Sequence, residues 1–169
     1  DMRVERNDAL DADGVLRLAP GALCISPGPG TPDVAGNMPA ILAACLGRIP
    51  VLGVCLGHQI MLSAYGGNII PTSDLPIHGR QIEIKTQTFS RVLPNYVFNG
   101  TFVLYNSLGC LKTDRVFQNN MISLHHENKM CLIAEHKSLP HIGVQFHPES
   151  FASSGGHDFL SAFLKRFHL

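Results

Sequence analysis

The sequence has 169 residues, of which 45% are hydrophobic and 15% charged, and we expect residues 1–169 to form one folded domain. Its 13 basic residues balance its 13 acidic ones, which argues against a nucleic-acid partner, and no apolar run approaches the roughly 20 residues of a membrane span. Five cysteines, an odd number without a C-x-x-C pair, argue against disulfides and structural zinc and favour the reducing cytoplasm.

The first half of the sequence predicts alternating strands and helices. A short apolar run over 22–26 predicts a buried strand, which must stop at the Pro/Gly loop 27–30. Helical spacing follows over 39–46, then a second apolar strand over 49–54 and a second helix over 57–64. Continuous apolar strands joined by helices are typical of a parallel sheet covered on both faces. We therefore expect an α/β fold with a three-layer, mostly parallel open sheet.

The second half predicts an antiparallel extension of the same domain. Its short strands are separated by Asn, Gly and Lys, and residues 81–85 alternate between polar and apolar. The predicted strands are 81–85, 102–105, 121–124, 130–134 and 142–146, followed by an amphipathic helix over 158–167. Residues 1–5 look like the end of a further strand.

The sequence Gly53-Val54-Cys55-Leu56-Gly57 places a cysteine where a buried strand turns directly into a helix. This is the pattern of a nucleophile elbow, in which flanking glycines permit a sharp, strained turn that exposes the nucleophile. A helix N-terminus also favours the thiolate form that attacks carbonyl groups. The alternative is a cysteine that is simply buried in a strand-to-helix turn.

A cysteine nucleophile needs a base, and His147-Pro148-Glu149 is the best candidate. Proline favours an extended conformation for the residue before it, so residues 147 and 149 should project to the same side. His147 would then be the base and Glu149 the group that orients it. The alternative is chance, because nine histidines will place one near a glutamate easily.

Acyl chemistry also needs backbone N–H groups aimed at the developing oxyanion. Leu56, directly after the cysteine, supplies one, and the loop Gly28-Pro29-Gly30 at the same sheet edge is a candidate for the second. This loop lacks the Lys-Ser/Thr ending of a phosphate-binding P-loop.

A metal site is the main competing interpretation of these residues. Cys55 and His147 could be combined on paper with His58, His125 and His126, but their spacing matches no zinc pattern. We therefore expect no metal.

Three segments together resemble the class I, or triad, glutamine amidotransferases: 25–32 around Pro-Gly-Pro-Gly, 50–59 around the elbow, and 143–150 around His-Pro-Glu. The segments 6–8, 78–79 and 105–108 make the resemblance strongest to the glutaminase components of anthranilate and aminodeoxychorismate synthases. The resemblance covers essentially the whole sequence. It implies a type 1 glutamine amidotransferase domain over 1–169 with a flavodoxin-like core. Members begin with a strand and a helix absent here, so we expect a sheet without its first strand and helix.

The resemblance also implies a reaction and a partner. Cys55 would attack the side-chain amide of L-glutamine, with His147 as base and acid and Glu149 as its orienter. Substrate would be held by Gly28, Pro29, Gly30, Leu56, Gln59, Ser107 and Leu108. No cofactor is implied, and the ammonia would pass to a chorismate-using synthase subunit.

Three alternatives remain open at this point. One is a non-catalytic or regulatory member of the same family. The second is the glutaminase of a carbamoyl-phosphate or GMP synthetase, and the third is a γ-glutamyl hydrolase. The sequence does not divide the folate from the tryptophan branch. It also departs from its relatives at Asn106, where they carry histidine, and over 74–80.

Overall fold

A computed structural model describes residues 2–72 and 79–169 of the chain. The helices are α1 (Ala12–Arg17), α2 (Met38–Cys45), α3 (Leu56–Ala64), α4 (Val116–Asn119) and α5 (Gly156–Arg166), with a 3-10 turn at Pro32–Val34. The strands are β1 (Leu23–Ile25), β2 (Val51–Val54), β3 (Ile69–Pro71), β4 (Arg80–Lys85), β5 (Asn99–Leu104), β6 (Leu108–Cys110), β7 (Met121–Glu127), β8 (Met130–His136) and β9 (His141–Val144).

The central sheet has five strands in the order β1-β2-β9-β8-β7. Strands β1, β2 and β9 run parallel, whereas β8 is antiparallel to β9, and β7 to β8. Strands β2, β8 and β9 are buried along their whole length, as expected for strands covered on both faces. The predicted α/β class, with a mainly parallel core and an antiparallel extension, is confirmed.

Successive residues of β2 enter opposite hydrophobic cores, and this alternation makes the three layers. Val51 packs in one core with α2 and α3, which supply Leu42, Ile60 and Met61. Leu52 faces the other core, where α5 contributes Phe159 and Phe163. Helices therefore cover both faces of the sheet. No helix within 2–72 or 79–169 combines the length and the apolar character needed to cross a membrane.

Two small antiparallel pairs lie outside the central sheet. Strand β4 pairs with β5, and only the residues of β4 that face the core, Ile82 and Ile84, are buried. Strand β3 pairs with β6, which positions the segment directly after Ser107. Strand β5 begins earlier than the predicted strand 102–105, because residues 99–101 also pair with residues 83–85 of β4.

The structure corrects the prediction at the start of the chain. Residues 2–5 form no strand, and Met2 and Val4 are 91% and 81% exposed. Their apolar alternation resembles a half-buried strand, but within the described chain no neighbouring strand covers them. Instead Arg3 pairs with Glu5, two residues away, at 2.6 Å.

Helix α1 is an element that the sequence prediction left out. It has only six residues, and its start is marked by Asp11, whose side chain accepts a hydrogen bond from the Gly14 N–H at 2.7 Å. This capping aspartate is a signal that was present in the sequence.

Candidate active site

Cys55 lies at the junction of β2 and α3, in a backbone conformation that residues other than glycine rarely adopt. Its φ is 52° and its ψ is −103°, and its N–H still donates to the Val144 carbonyl of β9 at 2.8 Å. Its own carbonyl accepts from the Gln59 N–H at 3.1 Å, in the first turn of α3. A residue at positive φ costs about 1–3 kcal/mol, which the surrounding structure must overcome. The strained turn expected for a nucleophile elbow is present.

The two glycines that flank the elbow are required by close backbone contacts. A Cβ on Gly53 would lie 2.5 Å from the Gly57 carbonyl oxygen, and one on Gly57 would lie 2.1 Å from the Ile25 carbonyl oxygen. Both distances are well below van der Waals contact with atoms that cannot rotate away. Helix α3 can therefore approach β1 and β2 this closely only because these side chains are absent.

His147 and Glu149 form a hydrogen-bonded pair. His147 Nδ1 is 2.7 Å from Glu149 Oε1, and the ring of Tyr105 packs edge-on against the imidazole with 4.9 Å between ring centres. The backbone of His147 is fixed at both ends, since its N–H donates to the Val103 carbonyl at 2.9 Å and its carbonyl accepts from the Ser153 hydroxyl at 2.6 Å. The predicted pairing of His147 with Glu149 is observed, but the predicted extended conformation is wrong. Residues 148–149 form a turn, in which the Ser150 N–H donates to the His147 carbonyl at 3.2 Å.

The electrostatics of this pair suit a base held next to a thiol. Burial would lower the pKa of His147, but hydrogen bonding and charge from Cys55 and Glu149 outweigh it and raise that pKa to about 9. For Glu149, burial would raise the pKa, whereas the hydrogen bond and charge of His147 bring it below the usual value. Since Nδ1 is bound to the carboxylate, Nε2 is the ring nitrogen that remains for proton exchange with Cys55.

The loop Gly28-Pro29-Gly30 lies against the start of α3. A Cβ on Gly28 would be 3.0 Å from Leu56 Cδ2, so the loop adjoins the residue directly after the nucleophile. Gly30 has a φ of +86°, which turns the chain toward the 3-10 turn. The structure therefore brings together the two segments predicted to supply N–H groups to an oxyanion.

Gln59 joins this group to the 107–108 segment. Its Nε2 donates to the Leu108 carbonyl at 3.0 Å and to the Gln145 Oε1 at 3.2 Å. Ser107 is linked to β3 on the other side, because its carbonyl accepts from the Thr72 N–H at 2.9 Å. The segments that contain the ten predicted site residues thus lie together around the Cys55 elbow at the end of β2, although the roles of these residues stay predictions.

The other residues singled out from the sequence are placed as follows. Asn106 is buried, and its Nδ2 donates to the Leu108 carbonyl at 3.0 Å. His58 is buried against Gly143, on the sheet side of α3, and burial lowers its pKa to about 4. His125 and His126 lie on β7. His78, part of a segment that carries the family resemblance, and Asp74, in the segment where the sequence departs from its relatives, lie outside the described residues.

Sequence reasoning missed one residue that contacts the nucleophile. Gln145, which is 1% exposed, places its Nε2 3.6 Å from Cys55 Sγ. Gln145 follows directly after β9, where residues 145–146 form a bend, so no periodic pattern in the sequence marked it as a contact of Cys55.

Comparison with known proteins agrees with the geometry. The family model described as "Glutamine amidotransferase class-I" matches residues 1–167. Aminodeoxychorismate synthase component 2 of Escherichia coli (strain K12) is 37% identical over 98% of this chain and 87% of its own length. Anthranilate synthase component 2 of Pseudomonas aeruginosa is 34% identical over 98% of this chain and 84% of its own.

Two further comparisons support the family and the fold. Aminodeoxychorismate/anthranilate synthase component 2 of Bacillus subtilis (strain 168) is 34% identical over 97% of this chain and 83% of its own. The crystal structure of a protein from Thermoplasma acidophilum, assigned to GMP synthase, superposes with a TM-score of 0.77. It covers 96% of this chain and 78% of its own at 17% identity, which supports the shared fold alone. The chain therefore belongs to the class-I glutamine amidotransferase family.

Proposed function

We propose that the chain hydrolyses L-glutamine to glutamate and ammonia and that residues 1–169 act as one glutamine amidotransferase domain. The observation that carries the proposal is the triad geometry. Cys55 is held in a strained elbow, and it interacts with His147 closely enough to raise the pKa of that histidine, whose Nδ1 is bound to Glu149 at 2.7 Å. A thiol, a base and an orienting carboxylate in this order are the components of cysteine-based acyl transfer.

The first half of the reaction forms a thioester. His147 holds the proton of Cys55, and the thiolate attacks the carboxamide carbon of glutamine. The oxyanion that develops is stabilised by the Leu56 N–H and by the Gly28–Gly30 loop beside it. His147 then gives its proton to the departing nitrogen, so that ammonia leaves as the C–N bond breaks.

The second half restores the enzyme. His147 takes a proton from water, and the resulting hydroxide attacks the thioester carbon. The C–S bond breaks, glutamate leaves, and Cys55 returns to the thiolate paired with protonated His147. Glu149 keeps the imidazole oriented throughout. Because every step has a protein group or water to perform it, the proposal calls for no metal or cofactor.

The proposed glutamine site consists of the segments around the elbow. They are Gly28, Pro29, Gly30, Leu56, Gln59, Ser107 and Leu108. Both N–H groups of the Gln59 carboxamide are already used within the protein. Gln59 therefore offers a ligand its oxygen, which can accept a hydrogen bond but not donate one.

The relatives suggest who receives the ammonia. Several are named as component 2 of aminodeoxychorismate or anthranilate synthase. We propose that this chain likewise works with a chorismate-using synthase subunit, in the cytoplasm, where a catalytic thiol stays reduced. Co-purification with that subunit, followed by identification of the product, tells the folate branch from the tryptophan branch.

Substitution Cys55→Ser tests the glutaminase directly. With the partner present, glutamine-dependent ammonia release should fall to background, while free ammonia still supports the partner's synthesis. Cys45→Ser is the matched control, because Cys45 lies on α2 in a separate cluster with Val15 and Ile41, and the folded variant should still hydrolyse glutamine. Full activity of the Cys55→Ser protein would refute the triad. A wild-type chain that folds and binds its partner but hydrolyses no glutamine would instead support the non-catalytic interpretation.

A further inference from the structure

The nucleophile has a second polar neighbour besides His147. The carboxamide of Gln145 is buried, and its Nε2 lies 3.6 Å from Cys55 Sγ. This is a normal distance for an N–H group that donates to sulfur, which is larger than oxygen. Gln145 lies directly beyond the end of β9, two residues before His147.

Gln145 is one member of a continuous amide network. We use this name for the Leu108 carbonyl, the carboxamides of Gln59 and Gln145, and the sulfur of Cys55. The Gln59 Nε2 donates to Leu108 O at 3.0 Å and to Gln145 Oε1 at 3.2 Å, and Gln145 Nε2 then faces the sulfur. Gln59 and Gln145 are 4% and 1% exposed, so bulk water does not compete for these groups.

The direction of every bond in this network follows from its first member. A backbone carbonyl can only accept, so Gln59 must present its N–H2 group to Leu108. The second N–H of that group then points at Gln145, which must answer with its oxygen. If the Gln145 carboxamide were reversed, two donors would face each other in a buried site. Gln145 is therefore obliged to present its N–H2 group to the sulfur.

We propose that Gln145 is a further catalytic residue, whose side-chain N–H donates to the Cys55 sulfur and favours its thiolate form, and that Gln59 positions Gln145 for this contact. A hydrogen bond to an ionised acceptor is about twice as strong as one between neutral groups. The same N–H stabilises the sulfur at two points of the cycle: when the thiolate forms for attack, and when it leaves the thioester. The inference rests on the proposed function only in taking Cys55 as the nucleophile.

The test measures the thiolate directly. The rate of Cys55 alkylation by iodoacetamide is followed by mass spectrometry of its peptide across pH in the full chain. Gln145→Glu keeps the size of the side chain and an oxygen for Gln59 and removes the N–H2 group that faces the sulfur, but its added negative charge also opposes the thiolate, so its shift is an upper limit. Gln145→Met removes both polar atoms at similar length. Each variant should move the half-maximal pH for Cys55 alkylation upward by about one unit or more.

Two controls separate this effect from a general loss of stability. Thr86→Val removes a comparable buried hydrogen bond, to the Phe98 N–H, in the β4–β5 hairpin. It should leave the Cys55 profile unchanged. Cys24 serves as the internal reference in every sample: burial of the thiol and the charge of Glu149 raise its pKa, and none of the variants changes Glu149. An unchanged Cys55 profile in a folded Gln145 variant would overturn the proposal.

The contribution of Gln59 is tested with a double-mutant cycle. Gln59→Met should produce part of the shift, because Gln145 then loses the partner that orients it. The double variant with Gln145→Met should match Gln145→Met alone, since Gln59 acts only through Gln145. Additive shifts would show that Gln59 acts on the sulfur by another route and would overturn its positioning role.

A measurement on the wild-type chain keeps the proposal testable if the variants fold poorly. The side-chain N–H2 signals of Gln145 are followed by NMR while Cys55 is titrated. They should shift with the same midpoint as the alkylation of Cys55. Signals that ignore the titration would overturn the contact. None of these measurements requires glutamine. They can therefore refute the Gln145 contact while the glutaminase assay supports the proposed function, or support the contact while that assay refutes the function.

Discussion

Substitution Gly57→Ala should disrupt both the fold and the site, because it forces α3 away from β1. The new Cβ would lie 2.1 Å from the Ile25 carbonyl oxygen and 2.9 Å from the Ile25 Cβ. Relief requires the helix to retreat by about 1 Å, since the contacting oxygen belongs to the backbone of Ile25, the buried end of β1. Overpacking of this kind costs about 3 kcal/mol, which for a domain of this size lowers Tm by about 10 °C.

The same displacement should reach the nucleophile, because α3 begins directly after Cys55. A misplacement of about 1 Å at a reacting atom can slow the reaction by on the order of 100-fold. Thermal melting and glutamine hydrolysis with the partner present measure the two effects. The control is Gly66→Ala, at the end of the same helix, where a Cβ meets nothing within 4 Å and only the positive φ of 87° is strained. The reasoning is refuted if Gly57→Ala loses no more stability or activity than Gly66→Ala.

Three further outcomes are expected. Burial lowers the pKa of His58 and of His141 to about 4. Between pH 6.5 and 4 the unfolded chain therefore binds protons that the native chain does not. The stability present above pH 6.5 should be lost as the pH falls toward 4. Fully buried His58 alone should cost about 3 kcal/mol by pH 4; a free energy of unfolding in urea that is flat from pH 7 to 4.5 would contradict this. Tyr65→Phe removes a hydroxyl 2.5 Å from His141 Nδ1 and should cost about 2 kcal/mol in the same assay, whereas no loss would show that this contact is dispensable. Glu149→Gln should slow glutamine hydrolysis on the order of 100-fold and, by NMR titration, return the raised pKa of His147 toward its usual value; a pKa still near 9 would mean that Cys55 alone holds the proton there.

The parts of the fold that the sequence predicted well are those with local signals. The apolar run that became β2 and the helical spacing of α2 and α3 follow from burial on both faces of a sheet. Strand β1 also forms where it was predicted, but it is buried only at Ile25, with Cys24 exposed. The strand end inferred at residues 1–5 was wrong over the described residues 2–5. Apolar alternation indicates which side of a strand would be apolar, but it does not indicate whether another element covers that side. Strands β3 and β6, of three residues each, were missed since they exist only by pairing with each other.

The candidate site was predictable to the extent that its chemistry is written in short motifs. The elbow and the His-Pro-Glu segment each carry backbone requirements that glycine and proline reveal. Gln145 was missed because its contact with Cys55 depends on how β9 lies beside β2, and on a carboxamide whose direction is decided by Leu108. A glutamine on a buried strand has no local mark that separates a packing role from contact with a sulfur.

The position of β9 has a consequence for the order in which the protein acquires its reactivity. Strand β9 lies between β2 and β8 in the middle of the sheet, although it comes after both of them, and after all the other described strands, in the chain. The ribosome releases the elbow cysteine long before His147, the proposed base. Until β9 inserts, Cys55 lacks both the Val144 carbonyl that its N–H contacts and the histidine that follows. A partly made chain should therefore be unable to consume glutamine, and ammonia production should begin only when the sheet closes around its last strand.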